Sequence, residues 1–160
     1  MTALAEALQH FQSGRLREAE ALCRQLVERE PANPAALHLL GVLAHQSGRN
    51  DAAVELIRQA VALAPGNAEF HYNLGVALQV LGRADEAAAS YREALRLEPN
   101  RAEAHNNLGH ALLQQGRPDE ALPCLEQPQR LLQTGQRLVG PALLEQGVAQ
   151  VVVGLGPVRR

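Results

Sequence analysis

The sequence contains no lysine and no tryptophan, and its aromatic side chains are two tyrosines and two phenylalanines. Alanine and leucine must therefore supply most of the packing, and both favour helix. The simplest source of an all-arginine basic complement is a GC-rich coding sequence. Two cysteines, Cys23 and Cys124, are too few for a disulfide framework or a four-thiolate metal site. Both fall among apolar residues, where a free thiol acts as a small hydrophobe. No run approaches the ~20 apolar residues that a membrane-spanning helix needs. The opening segment, MTALAEALQHFQSGR, lacks the basic and apolar regions of a secretory leader, so a cytoplasmic location is expected. A net charge of −2 argues against a general nucleic-acid binder.

Catalytic and metal-binding patterns are missing as well. The histidines His10, His38, His45, His71, His105 and His110 form no i, i+4 pair and no H-E-x-x-H motif, so neither metal nor cofactor is expected. Ser13 and Ser47 sit beside glycine in turn sequences, and Ser90 lies within a helical stretch. The segment VVVGLGPVR over 151–159 imitates a dinucleotide-binding turn. It lacks the third glycine, contains Pro157, and is followed by no βαβ unit.

What is present is a period of 34 residues. It is carried by Pro31, Pro65 and Pro99, by Gly14, Gly48, Gly82 and Gly116, by Gly41, Gly75 and Gly109, and by Ala19, Ala53, Ala87 and Ala121. Such a period marks stacked helix–turn–helix units. In the unit 68–101, Leu74, Ala77, Leu78 and Leu81 fall at i, i+3, i+4 and i+7 on one helical face. Gly82 supplies a helix stop, Asp85 and Glu86 open a second helix, and Pro99 ends it. Ala87, Tyr91, Ala94 and Leu95 form the second apolar stripe. Glycine inside a helix costs about 1 kcal/mol relative to alanine. Three of them at one register therefore imply a compensating close approach of two helices.

This grammar resembles the tetratricopeptide repeat, W-x2-L-G-x2-Y followed by A-x3-F, A and P. The third unit reads His71, Leu74, Gly75, Leu78, Ala87, Tyr91, Ala94 and Pro99 at those places, while Leu37, His71 and His105 replace the opening tryptophan. The resemblance extends to roughly Leu125. It implies an all-α fold, a right-handed α-α superhelix of such repeats with an irregular C-terminal tail. Units are expected at 1–33 (shortened at its start), 34–67, 68–101 and 102–128 (incomplete), with a degenerate tail or capping segment over 129–160.

The sequences LHLLG, HYNLG and HNNLG are similar to arrays that precede glycosyltransferase or sulfotransferase domains in larger bacterial proteins, and to those of O-linked N-acetylglucosamine transferases. The implied function is a non-catalytic protein-interaction module that takes a peptide or helix in a concave groove. The alternative is the substrate-recruiting part of a transferase whose catalytic domain is absent. The groove candidates are His38, Val42, His45, Tyr72, Asn73, Val76, Asn106, Asn107 and His110. Asn73 and Asn107 lie one place before a Leu-Gly pair on successive first helices, which the resemblance places on the concave side. Their amides either form a ladder for an extended backbone or bond to the adjacent helix; Leu39 at the matching place of the second unit shortens any ladder to two rungs. The carboxylate clamp of some family members is not expected, since there is no lysine and Val42, Tyr72 and Asn106 stand at relevant positions. The partner expected is a protein or peptide, with no nucleic acid and no membrane, for a monomer or weak dimer.

Pro123 and Pro128 are expected to break the second helix of the fourth unit. That break would make the unit the weakest and uncover Tyr91, Ala94 and Leu95. The segment 141–153 is the local candidate for a cap over this end, through Leu143, Leu144 and Val148. A second copy of the chain is the alternative cover.

Overall fold

The computed structural model describes residues 2–138, which form eight helices and, among the described residues, no strand. They are α1 (Ala3–Gln12), α2 (Leu16–Arg29), α3 (Pro34–Gln46), α4 (Asn50–Leu63), α5 (Ala68–Val80), α6 (Ala84–Leu97), α7 (Ala102–Gln114) and α8 (Pro118–Leu138). Each odd-numbered helix pairs with the helix that follows it, and each pair stacks on the next. The first helices also touch one another, α1 with α3, α3 with α5 and α5 with α7. The array therefore bends toward their side, and that side is concave.

The turn within each pair has one design. Gly82 adopts φ +73°, a left-handed conformation that a side chain would strain. Its N–H bonds to the Gln79 carbonyl and that of Arg83 to the Leu78 carbonyl, so two otherwise orphaned groups are satisfied. The same pair of bonds closes α1, α3 and α7. Between pairs, the Asn33 and Asn67 side chains accept from the first N–H groups of α3 and α5.

Close approach explains the helical glycines. A Cβ on Gly41 would stand 2.6 Å from Ile57, on Gly75 2.6 Å from the Tyr91 ring, and on Gly109 2.6 Å from Leu125. Ala19, Ala53, Ala87 and Ala121 are each fully buried. The two ends of the array differ. Leu40, Leu74 and Leu108 are buried at the register where the first pair carries exposed Glu6, which gives that end a polar surface. At the other end Leu122 is 57% exposed, where Val54 and Ala88 are covered by the following pair.

One expectation is corrected. Pro123 and Pro128 do not break the last helix: α8 runs through both to Leu138, ten residues past the expected end of the unit at 128. Ala121 and Leu125 hold α8 against α7 and outweigh the local penalty. Gln133 stands where Pro31, Pro65 and Pro99 close the earlier pairs, so nothing stops the helix there. Tyr91 and Ala94 consequently keep full cover, and Leu95 is half-buried against the same core. The expected cap at 141–153 and the glycine turn at 151–159 lie outside the described residues.

Candidate functional site

The concave face is built by α1, α3, α5 and α7, and its apolar centre lies toward the N-terminal end. Leu4, Leu8, Phe11, Leu39, Val42 and Phe70 line a cavity of about 340 Å³, with His38, Glu69 and Asn73 beside them. That volume is at the low end of the roughly 300–1,000 Å³ of small-ligand clefts. A hollow of about 590 Å³ at Glu98, Pro99, Asn100, Arg101 and Glu103 belongs to a single inter-pair turn. It repeats a hollow at 30–34.

His38 and Asn73 meet across the face. The Asn73 Nδ2 lies 2.9 Å from the His38 Nε2, so the amide donates and the ring nitrogen accepts. The His38 ring also stacks on Phe70, with centroids 4.4 Å apart. One repeat on, the Asn107 Nδ2 donates to the Tyr72 hydroxyl at 3.2 Å. Each amide N–H is thus engaged by the preceding first helix, which is the second of the two arrangements the sequence left open. Tyr72 is half-buried, tilted against Tyr91 and covered by the Arg101 guanidinium 4.6 Å from its ring centre. Burial pushes its phenol pKa up, with the Glu103 charge adding to that effect and Arg101 opposing it.

The other candidates are distributed along the face. Val42 lines the cavity, and half-buried Val76 packs against the core. Asn106 and His110 are exposed on α7. His45 is drawn away: its Nδ1 lies 2.6 Å from the Asn50 Oδ1 on α4, which binds it within its own pair. His71 and His105 hold the inter-pair turns through contacts of 2.8 Å and 2.7 Å to the Pro65 and Pro99 carbonyls. The sequence reading missed the contribution of α1. Leu4, Leu8 and Phe11 at i, i+4 and i+7 were the available signal, obscured by the shortened start of that unit.

Charge is sorted between the two sides. All six histidines lie on the first helices, and α1, α3, α5 and α7 contain no arginine. Arginines instead tie second helices together, as in Arg49–Glu20 at 2.7 Å and Arg58–Glu86 at 2.6 Å. Among the described residues no group of three or more His, Cys, Asp or Glu side chains could hold a metal ion. Burial raises the thiol pKa of Cys23 to about 11, so it stays protonated.

Burial lowers the His38 pKa below its ordinary 6.5, and the nearby Glu69 charge offsets part of that. Between the lowered value and 6.5 the unfolded chain binds more protons than the folded one. The stability from neutral His38 is therefore complete above about pH 6.5 and is lost as pH falls below it. His38→Gln keeps an acceptor for Asn73 and removes the titration. Its melting temperature is expected to fall less between pH 7 and pH 5 than that of the parent, and equal falls would refute the assignment.

The fold and its repeats can be matched to known proteins. Models described as tetratricopeptide repeat match residues 4–68 and 56–89, and one described as TPR repeat matches 80–116. The solved structure of MamA MSR-1 is 30% identical with a TM-score of 0.74, over 83% of this chain and 76% of that one. The chain belongs to the tetratricopeptide repeat family. Another MamA crystal structure superposes with a TM-score of 0.80 over 84% of this chain and 79% of that one. At 21% identity it bears on the fold alone, a superhelix of TPR units. The Thermobaculum terrenum O-GlcNAc transferase is 39% identical with a TM-score of 0.66, over 69% of this chain; the match spans 21% of the transferase. No curated protein matches the chain by sequence. Among the described residues, no helix of this TPR array is long and apolar enough to cross a membrane.

Proposed function

We propose that this chain is a non-catalytic interaction module whose concave TPR groove receives a peptide segment or a helix from a protein partner. The observation that carries the reading is the apolar cavity formed jointly by α1, α3 and α5. Its walls are preorganised by the His38–Asn73 contact and the His38–Phe70 stack. A groove whose walls are already held loses less side-chain entropy on binding. The Asn73 and Asn107 amides each have one N–H engaged by the preceding first helix, and their Oδ1 atoms are the acceptors such a segment would meet. Tyr72, Val76, Asn106 and His110 extend the contact along the array.

The test is a peptide array probed with the full chain and with Leu8→Asp and Val42→Arg. Both substitutions place charge in the cavity without touching the fully buried core. Each is expected to weaken every groove-bound peptide at least about tenfold, as expected when a charge faces a buried apolar anchor. Unchanged binding with both variants would overturn the groove reading.

A second reading follows from the likeness to the O-GlcNAc transferase: the groove recruits substrate for a transferase domain. Reading frames downstream of the Arg160 codon would then encode such a domain, and their failure to do so would exclude this version.

A further inference from the structure

The charges around the groove indicate what kind of segment it takes. Glu6, Glu69 and Glu103 are the acidic residues of α1, α3, α5 and α7, and no arginine accompanies them there. Glu6 belongs to the polar end of the array. Glu69 stands beside the cavity, exposed, and among the described residues its carboxylate takes part in no ion pair, whereas Glu20, Glu86, Glu93 and Glu120 on the second helices each hold an arginine. A position in the first turn of α5 favours an acid at Glu69 but supplies no counter-charge.

The next repeat shows the same arrangement with its cation in place. Tyr72 occupies the register of His38, and Glu103 that of Glu69. There Arg101 lies over the Tyr72 ring at 4.6 Å, and Arg101 and Glu103 both act on the Tyr72 hydroxyl. Arg101 is also 3.2 Å from Glu98. One repeat earlier, Asn67 stands at the register of Arg101, and its side chain is spent capping α5. The His38–Phe70 stack therefore has an acid beside it and, among the described residues, no guanidinium above it.

Resting on the groove reading above, we infer that the partner segment carries a large apolar side chain next to an arginine or lysine. The apolar group fills the cavity between α1, α3 and α5, and the basic group lies against the His38–Phe70 stack and pairs with Glu69. An acidic segment would meet Glu69 with like charge at the cavity, while Arg101, one repeat on over Tyr72, is already paired with Glu98, so charge complementarity selects the basic one.

The experiment selects random displayed 12-residue peptides on the full-length chain. The strongest binders are synthesised, each also with its basic residue changed to Gln. Binding is titrated by fluorescence anisotropy against the parent chain, Glu69→Gln, Glu69→Asp and Val42→Arg. The selected peptides are expected to pair an apolar residue with an adjacent Arg or Lys. Val42→Arg weakens all of them at least about tenfold. Glu69→Gln weakens the basic peptides about three- to fivefold, the scale of one exposed ion pair, leaves the Gln forms unchanged, and is reversed by Glu69→Asp. Peptides that depend on Val42 but show no basic preference, or that ignore Glu69→Gln, overturn this inference and leave the groove reading standing. Peptides indifferent to Val42→Arg, or a selection that yields no binder, defeat the groove reading and this inference together.

Discussion

Replacing Tyr91 by Ala is expected to remove about 3–5 kcal/mol of stability, the range for truncating a buried aromatic side chain. The ring is fully buried, and its hydroxyl donates to the Gln79 Oε1 at 2.8 Å. Desolvation drives its phenol pKa far upward, so no charge forms there near neutrality. The ring also fills the space left by a glycine. A Cβ at residue 75 would lie 2.6, 2.7 and 2.9 Å from three of its ring carbons. Gly75→Ala gains about 1 kcal/mol of helix propensity and meets an overpacking penalty of about 1–3 kcal/mol. The ring cannot swing clear without losing Gln79, so a net loss is expected. Gly109→Ala, at the same register, meets the branched end of Leu125, which can turn, and is expected to be milder. The decisive measurement is a denaturant double-mutant cycle. In a Tyr91→Leu background Gly75→Ala is expected to become nearly neutral or favourable. Identical effects of Gly75→Ala in both backgrounds would show that the ring does not set the requirement for glycine.

That pairing illustrates what a sequence of this kind discloses. Gly75 and Tyr91 recur in register with Gly41 and Ile57 and with Gly109 and Leu125, so the helix-to-helix contact inside each unit could be read directly from the period. Contacts between units were harder to read. His38 meets Asn73, and Tyr72 meets Asn107, at a separation of 35 residues. Whether an amide at that offset faces open groove or reaches the neighbouring helix depends on superhelix curvature, which the 34-residue period does not encode. The cavity wall on α1 was obscured for a related reason. The first unit has Ala7 where the later ones have glycine and Glu6 where they have leucine, and these departures from the pattern masked its cavity-lining residues. Local propensity alone does not set the course of α8, which continues through both prolines. Packing of Ala121 and Leu125 on α7 offsets a propensity loss that would end an isolated helix.

The same balance yields the second large effect, a gain of about 2 kcal/mol from Pro123→Ala. Proline in a helix interior is about 3 kcal/mol worse than alanine, because it lacks the N–H that would bond the Asp119 carbonyl and its ring crowds that turn. Part of the gain is returned, since proline also restricts the unfolded chain by about 0.4–1 kcal/mol. Pro123 is exposed, so its removal leaves no void. Pro128 is buried, and Pro128→Ala would restore a hydrogen bond to the Cys124 carbonyl while removing packed ring atoms. A smaller net gain is expected there. Hydrogen exchange distinguishes these outcomes from a uniform stabilisation. Stability in an array is close to a sum of unit and neighbour terms, so Pro123→Ala is expected to slow exchange most in α7 and α8 and least in α1 and α2. If Pro123→Ala left exchange in α8 unchanged, the helix would already be limited by something other than its proline. The packing of Leu125 against Gly109 would then be the next contact to weaken, by Leu125→Ala, to find what holds α8 in place.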